Sequence, residues 1–140
     1  MSEDCVFCRI ARGTEPASIV WQDELTMAFM DHRQFHAGHT LVIPRQHLPD
    51  IRELSERTGA ALMASVTRIA RAVAAAFPNE GLSLWHSIGA AADQEVPHLH
   101  IHVHPRKLED HLLQIYPSFP PRPDKATRDG YAATLRAHLA

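Results

Sequence analysis

Two hydrophobic periods alternate along the chain, and the points where they switch mark its elements. Residues 18–22, 25–31 and 39–44 are short runs rich in Val, Ile, Phe and Trp, separated by turn formers, which predicts three strands. The Gln22-Asp23-Glu24 turn is short enough to make the first two a hairpin. From Ser55 to Phe77 the period lengthens: Leu62, Val66, Ile69, Val73 and Phe77 recur at three- and four-residue steps, while Arg57, Arg68 and Arg71 take other faces. That predicts one amphipathic helix, capped by Ser55 and ended by Pro78, Asn79 and Gly81. Two more strands are expected at 82–88 and 98–104. Pro117, Pro120, Pro121 and Pro123 exclude helix or central strand over 116–123, so an ordered loop or arm is expected there. A last amphipathic helix is predicted over 124–139, capped by Asp124 and weakened by Gly130. Strands in succession with inserted helices define an α+β fold with a mainly antiparallel sheet.

At 140 residues the chain accommodates one ordinary domain, 1–140, with a core over 5–106 and a proline-rich and helical remainder over 107–140. With 45% apolar and 21% charged residues, wholesale disorder and fibrous repeats are excluded. The longest uncharged apolar run, within Arg71 to Asn79, falls short of the roughly 20 residues of a membrane span. The opening Met1-Ser2-Glu3-Asp4 is acidic where a signal peptide is basic, so a cytoplasmic protein with no membrane partner is expected. A net charge of −2 argues against an extended nucleic-acid surface, although a few local groups could bind phosphate. The two cysteines, Cys5 and Cys8, suit a reducing compartment. Their spacing is common in zinc sites, which need two further ligands; a redox pair and two free thiols are the other readings.

Histidine changes the picture. There are 11 histidines, and His98, His100, His102 and His104 fall at alternate positions. On a strand, residues two apart share a face about 6.5–7 Å from one another, so four imidazoles face one way and Leu99, Ile101 and Val103 face the core. Burying so dense an imidazole face without partners is costly. Two chemistries suit it: divalent metal ligation by neutral imidazole, or nucleophilic and proton-transfer chemistry at phosphorus. The residue pattern alone leaves both open.

The surrounding residues add a resemblance. Gln94-Glu95-Val96-Pro97-His98-Leu99-His100-Ile101-His102-Val103-His104-Pro105-Arg106 resembles the Q-x-V-x-H-x-H-x-H-φ-φ-P-R signature of the histidine triad family of nucleotide hydrolases and transferases. Gly38-His39-Thr40-Leu41-Val42-Ile43-Pro44-Arg45-Gln46-His47, Ala28-Phe29-Met30-Asp31 and Cys5-Val6-Phe7-Cys8-Arg9-Ile10 resemble three further segments of that family, in the same order. The resemblance implies a five-stranded antiparallel sheet with flanking helices, assembled as a two-fold homodimer. It implies His100 as the nucleophile at the α-phosphorus of a nucleotide, forming a nucleotidyl-histidine. His102 would contact the phosphate and assist the leaving group, with His39 and His98 completing the catalytic histidines. It assigns Asp31 to the ribose, Ser87 and Gln94 to polar contacts around the phosphate, and Cys5, Cys8, His47 and His98 to a structural zinc. Purine nucleoside phosphoramidates and dinucleoside polyphosphates are the implied substrates.

Four positions depart from the pattern: Ser87 where Asn or Gln is usual, Asp93 for Gly, Glu95 for Ser or Thr, and His104 for an apolar residue. Asp tolerates a left-handed backbone, so Asp93 is expected to keep the loop. Glu95 adds an anion that would oppose polyphosphates unless it points away or meets a cationic leaving group. The departures at Ser87, Asp93 and Glu95 also permit a second reading, a nucleotide-binding signalling module with little catalysis. A third is a metal-dependent oxygenase or hydrolase using the whole histidine strand.

Overall fold

In a computed structural model, which describes residues 4–139, contacts divide the chain into two compact units at the Asp110–His111 junction. The first unit begins with helix α1 (Val6–Arg12) and strands β1 (Ile19–Gln22), β2 (Thr26–Met30) and β3 (Thr40–Pro44). Helix α2 (Glu56–Ala76), β4 (Gly81–Trp85) and β5 (Ile101–Arg106) complete it, with short 3-10 turns at Ile51–Glu53 and Ala90–Ala92. The strands form one antiparallel sheet in the order β1-β2-β3-β5-β4. The expected α+β architecture, with five antiparallel strands and flanking helices, is therefore the observed one.

Strand alternation divides the sheet's residues between two layers. Ala28, Val42, Leu99, Ile101 and Val103 pack against Leu62, Val66, Ile69 and Val73 of α2. Met27, Phe29, Leu41 and Ile43 cluster instead with Cys5, Phe7, Cys8 and Ile10 of the α1 segment. By length and composition α2, with a mean hydropathy of 1.2, could cross a membrane. Its apolar stripe is instead committed to the sheet, and the Arg68 guanidinium lies 4.1 Å over the Trp21 ring. Ser55 caps α2 by accepting from the Thr58 N–H, as expected.

Several boundaries differ from the sequence reading. Helix α1 was not anticipated: it is only seven residues long and is capped by the Cys5 thiol, an unusual N-cap. The fourth strand ends at Trp85 rather than 88, and the fifth begins at Ile101 rather than 98. Leu99 gives its N–H to the Leu48 carbonyl at 2.7 Å, so residues 98–100 are bound outside the sheet ladder. Asp93 does adopt the left-handed conformation, φ 60° and ψ 35°. Gly38, at φ +116°, is more demanding: a Cβ there would stand 2.8 Å from the Phe77 ring, so the turn into His39 closes against the end of α2.

The second unit contains the proline-rich stretch, which has no helix or strand, and α3 (Lys125–Arg136). Asp124 caps α3 as expected, accepting from the Thr127 N–H at 2.9 Å, and Tyr131 and Leu135 are exposed on it.

Leu62 is 1% exposed at the centre of the α2 contact. Leu62→Ala is expected to cost about 2–5 kcal/mol, read as a lower denaturant midpoint with an unchanged m-value.

Candidate active site and metal pocket

Hydrogen bonds to backbone carbonyls choose the ring tautomers in the histidine row. A carbonyl can only accept, so the ring nitrogen facing it carries the proton and the other nitrogen keeps a lone pair. His98 donates Nε2–H to the Pro44 carbonyl at 2.9 Å, which turns its Nδ1 lone pair toward Cys5 Sγ at 3.4 Å and Cys8 Sγ at 3.6 Å. His100 donates Nδ1–H to the His98 carbonyl at 2.7 Å, leaving Nε2 as a free lone pair. His104 donates Nδ1–H to the Pro105 carbonyl at 2.7 Å.

The first of these bonds completes a pocket. Cys8 Sγ lies 3.2 Å from His47 Nδ1, and the ligand atoms of Cys5, Cys8, His47 and His98 all lie within 4.8 Å of one another. Tetrahedral zinc bonds would separate sulfur and nitrogen ligands by about 3.6 Å, so these four residues can hold a metal ion. Both thiols are buried and free of disulfide. The structure brings together the complete metal set expected from the sequence.

The second group spreads from His100 along the sheet. His102 Nδ1 and His39 Nε2 share a hydrogen bond of 2.9 Å, and Asp31 Oδ2 stands 3.7 Å from His39 Nε2. Asp31, His39 and His102 also converge closely enough for a metal, but the direct nitrogen–nitrogen bond already occupies two of the donors. The Trp85 indole stacks on His102 at 4.4 Å, with 7° between the rings. Phe7 meets His100 edge-on at 5.1 Å.

Burial keeps this row neutral. Desolvation pushes His102 down to about 3, helped by His100 and His39, while Asp31 opposes it. His39 is lowered by burial against the pull of Asp31, and burial also lowers His100, where the His98 carbonyl, Asp31 and Glu95 oppose the shift.

Other expected positions divide. Ser87 is half-buried in the loop after β4. The Gln94 amide braces that loop: Oε1 accepts from the Gly89 N–H at 2.9 Å, and Nε2 donates to the Pro49 carbonyl at 2.9 Å. His104 is 1% exposed, and its ring lies 4.4 Å from that of His39. Beside it, Asp110 accepts from His36 Nε2 at 3.0 Å and Arg106 Nε at 2.8 Å. Sequence reasoning missed Trp85 and the buried partners of His104, for which no motif signals exist.

A sheet that presents tautomer-locked histidines beside a Cys2His2 pocket defines a class. Residues 12–109 match the family model described as the HIT domain, and the chain belongs to that family. It is 36% identical over 112 residues to the adenylylsulfatase HINT3 of Arabidopsis thaliana, covering 80% of this chain and 57% of that protein. It is 31% identical over 122 residues to the adenosine 5′-monophosphoramidase hnt1 of Schizosaccharomyces pombe, covering 86% and 89%. Among solved structures, a HIT family member from Bacillus subtilis superposes with a TM-score of 0.91 at 31% identity, covering 99% of each chain. A zinc-bound histidine triad family protein from Mycobacterium smegmatis gives 0.71 at 35% identity, covering 97% of this chain and 98% of the other.

The lowered imidazoles carry a stability consequence. Below the ordinary value of 6.5 the unfolded chain takes up a proton at position 102 that the folded protein refuses until about 3. This contribution is therefore complete above pH 6.5 and is lost as pH falls toward 3. Urea midpoints should fall from pH 7 to pH 5, and His102→Asn should flatten that dependence.

Proposed function

We propose that this protein is a nucleotidyl hydrolase or transferase acting at the α-phosphate of a nucleotide, with His100 as nucleophile. The observation that carries this is the bond from His100 Nδ1–H to the His98 carbonyl, which leaves Nε2 unprotonated on a ring that burial keeps neutral. Nε2 attacks the α-phosphorus, and the bond to the leaving group breaks. For a phosphoramidate the departing amine takes a proton drawn from solvent and relayed by neutral His102, and the water that later cleaves the adduct returns one to solvent. Water then cleaves the nucleotidyl-histidine, giving a nucleoside monophosphate and restoring His100. His39 and Asp31 hold His102 through the bond at Nδ1, and His98 aligns His100 through its carbonyl.

For Asp31 we propose a second task, accepting from ribose hydroxyls, with Ser87 and Gln94 on the phosphate side. The relatives named for phosphoramidase and adenylylsulfatase activity support adenosine phosphoramidates and related adenylyl compounds as substrates; dinucleoside polyphosphates belong to the same reading.

The four-residue pocket fits zinc by donor type and spacing, and the zinc-bound relative supports that metal. Bound by Cys5, Cys8, His47 and His98, it would be a closed structural centre that joins the α1 segment to the start of β5. Residues 1–140 act as one domain in this reading, within a cytoplasmic homodimer. The outward edge of β4, the last strand of the sheet, and the half-exposed Leu84 support such a partner.

Turnover of adenosine 5′-phosphoramidate is expected, with a loss of about a thousandfold or more in His100→Ala. Mass spectrometry of rapidly quenched wild-type enzyme should show one nucleotidyl addition; nucleotide affinity with neither turnover nor adduct would establish the binding-module reading instead. Elemental analysis should find one zinc per chain, lost in Cys8→Ser together with thermal stability.

A further inference from the structure

One ion pair joins the loop after Asp31 to the loop before His98. Arg33 Nη1 donates to both carboxylate oxygens of Glu95, at 3.1 and 3.2 Å, across 62 positions of sequence. Each partner is anchored beside the site. The Arg33 backbone N–H donates to Asp31 Oδ1 at 2.8 Å, and Glu95 adjoins Gln94, whose amide pins its own loop. Asp31 Oδ2 in turn stands 3.7 Å from His39 Nε2, which shares a 2.9 Å hydrogen bond with His102 Nδ1, so the contacts of Arg33 lead directly to the histidine row. The two side chains are 70% and 69% exposed, and a pair so open to solvent exchanges partners readily.

The surrounding charges make this pair consequential. His100 attacks in its neutral form in the proposed reaction, and the His39–His102 bond requires an unprotonated nitrogen on one of its two rings. Arg106 is engaged by Asp110 and Ser83, and Arg52 by Asp50. Beside the His39–His102 couple thus stand the Asp31 carboxylate and, bonded to it through its backbone, Arg33, whose guanidinium Glu95 already holds.

Resting on the reading of His100 as nucleophile, we propose that the Arg33–Glu95 pair selects the leaving group by its charge. The α-phosphate competes with Glu95 for Arg33, and the released carboxylate then stands on the leaving-group side. It favours a neutral or cationic amine and opposes an anionic group such as sulfate or a phosphate chain. The bond broken is phosphorus–nitrogen in the first case and phosphorus–oxygen in the second; the nucleotidyl-histidine is the same.

The test uses the full chain and two probes that share an adenylyl group, adenosine 5′-phosphoramidate and adenosine 5′-phosphosulfate. The ratio of their kcat/KM values cancels any change in nucleotide recognition. Glu95→Gln, which keeps the shape and removes the charge, is expected to move that ratio about tenfold toward the phosphosulfate, the size of one partly screened charge contact. Arg33→Gln unmasks Glu95 and is expected to move it the other way, and added salt should shrink both shifts. A ratio unchanged in both variants overturns the proposal while leaving His100 in place. Absence of a nucleotidyl adduct on the wild-type enzyme with either probe overturns the reading of His100, and this inference with it.

Discussion

The bond from His98 Nε2 to the Pro44 carbonyl, buried and 2.9 Å long, sits where three parts of the molecule meet. It ties the end of β3 to the segment leading into β5. It forces the His98 lone pair onto Nδ1, toward the two thiols. With the ring so held, the His98 carbonyl stands where His100 can donate to it, which exposes the lone pair on the opposite side of the His100 ring. A single residue thus speaks to the four-residue pocket through its side chain and to the proposed nucleophile through its backbone, and rotation of that one imidazole would disturb both.

The arrangement has an energetic cost. Histidines held in one low-polarity layer resist protonation together, because each would gain charge beside the others and away from water. What offsets the cost is the sheet underneath: Leu99, Ile101 and Val103, interleaved with the histidines, are buried against α2 on the opposite face. The same seven residues therefore serve the core and the histidine row in strict alternation, so the row inherits the rigidity of the core.

Much of this was legible in the sequence, for identifiable reasons. The α2 helix announces itself by its period and by Ser55, and both the alternation over 98–104 and the cap at Asp124 proved to be structural facts. Alternation was readable even though 98–100 lie outside the ladder, because side-chain direction follows local extension rather than pairing. What escaped depends on distant partners. Helix α1 is too short to show a period and is capped by a thiol. Leu48 captures the Leu99 N–H and shortens β5, and no local rule anticipates that. The meeting of Arg33 with Glu95 spans 62 positions, and Glu95 alone reads only as an unplaced charge. Trp85 looks like any strand aromatic until the sheet register sets it opposite His102.

Gly38 has a wider consequence. Its backbone lies close against Phe77, the residue that ends α2, so the loop delivering His39 is braced by the far end of that helix. Ring and glycine form a joint with no slack, in which bulk added at position 38 displaces either the helix terminus or the histidine behind it. The bulk tolerated at residue 77 is therefore limited by the loop that delivers His39, so a change of shape at the helix cap is felt at the histidine row.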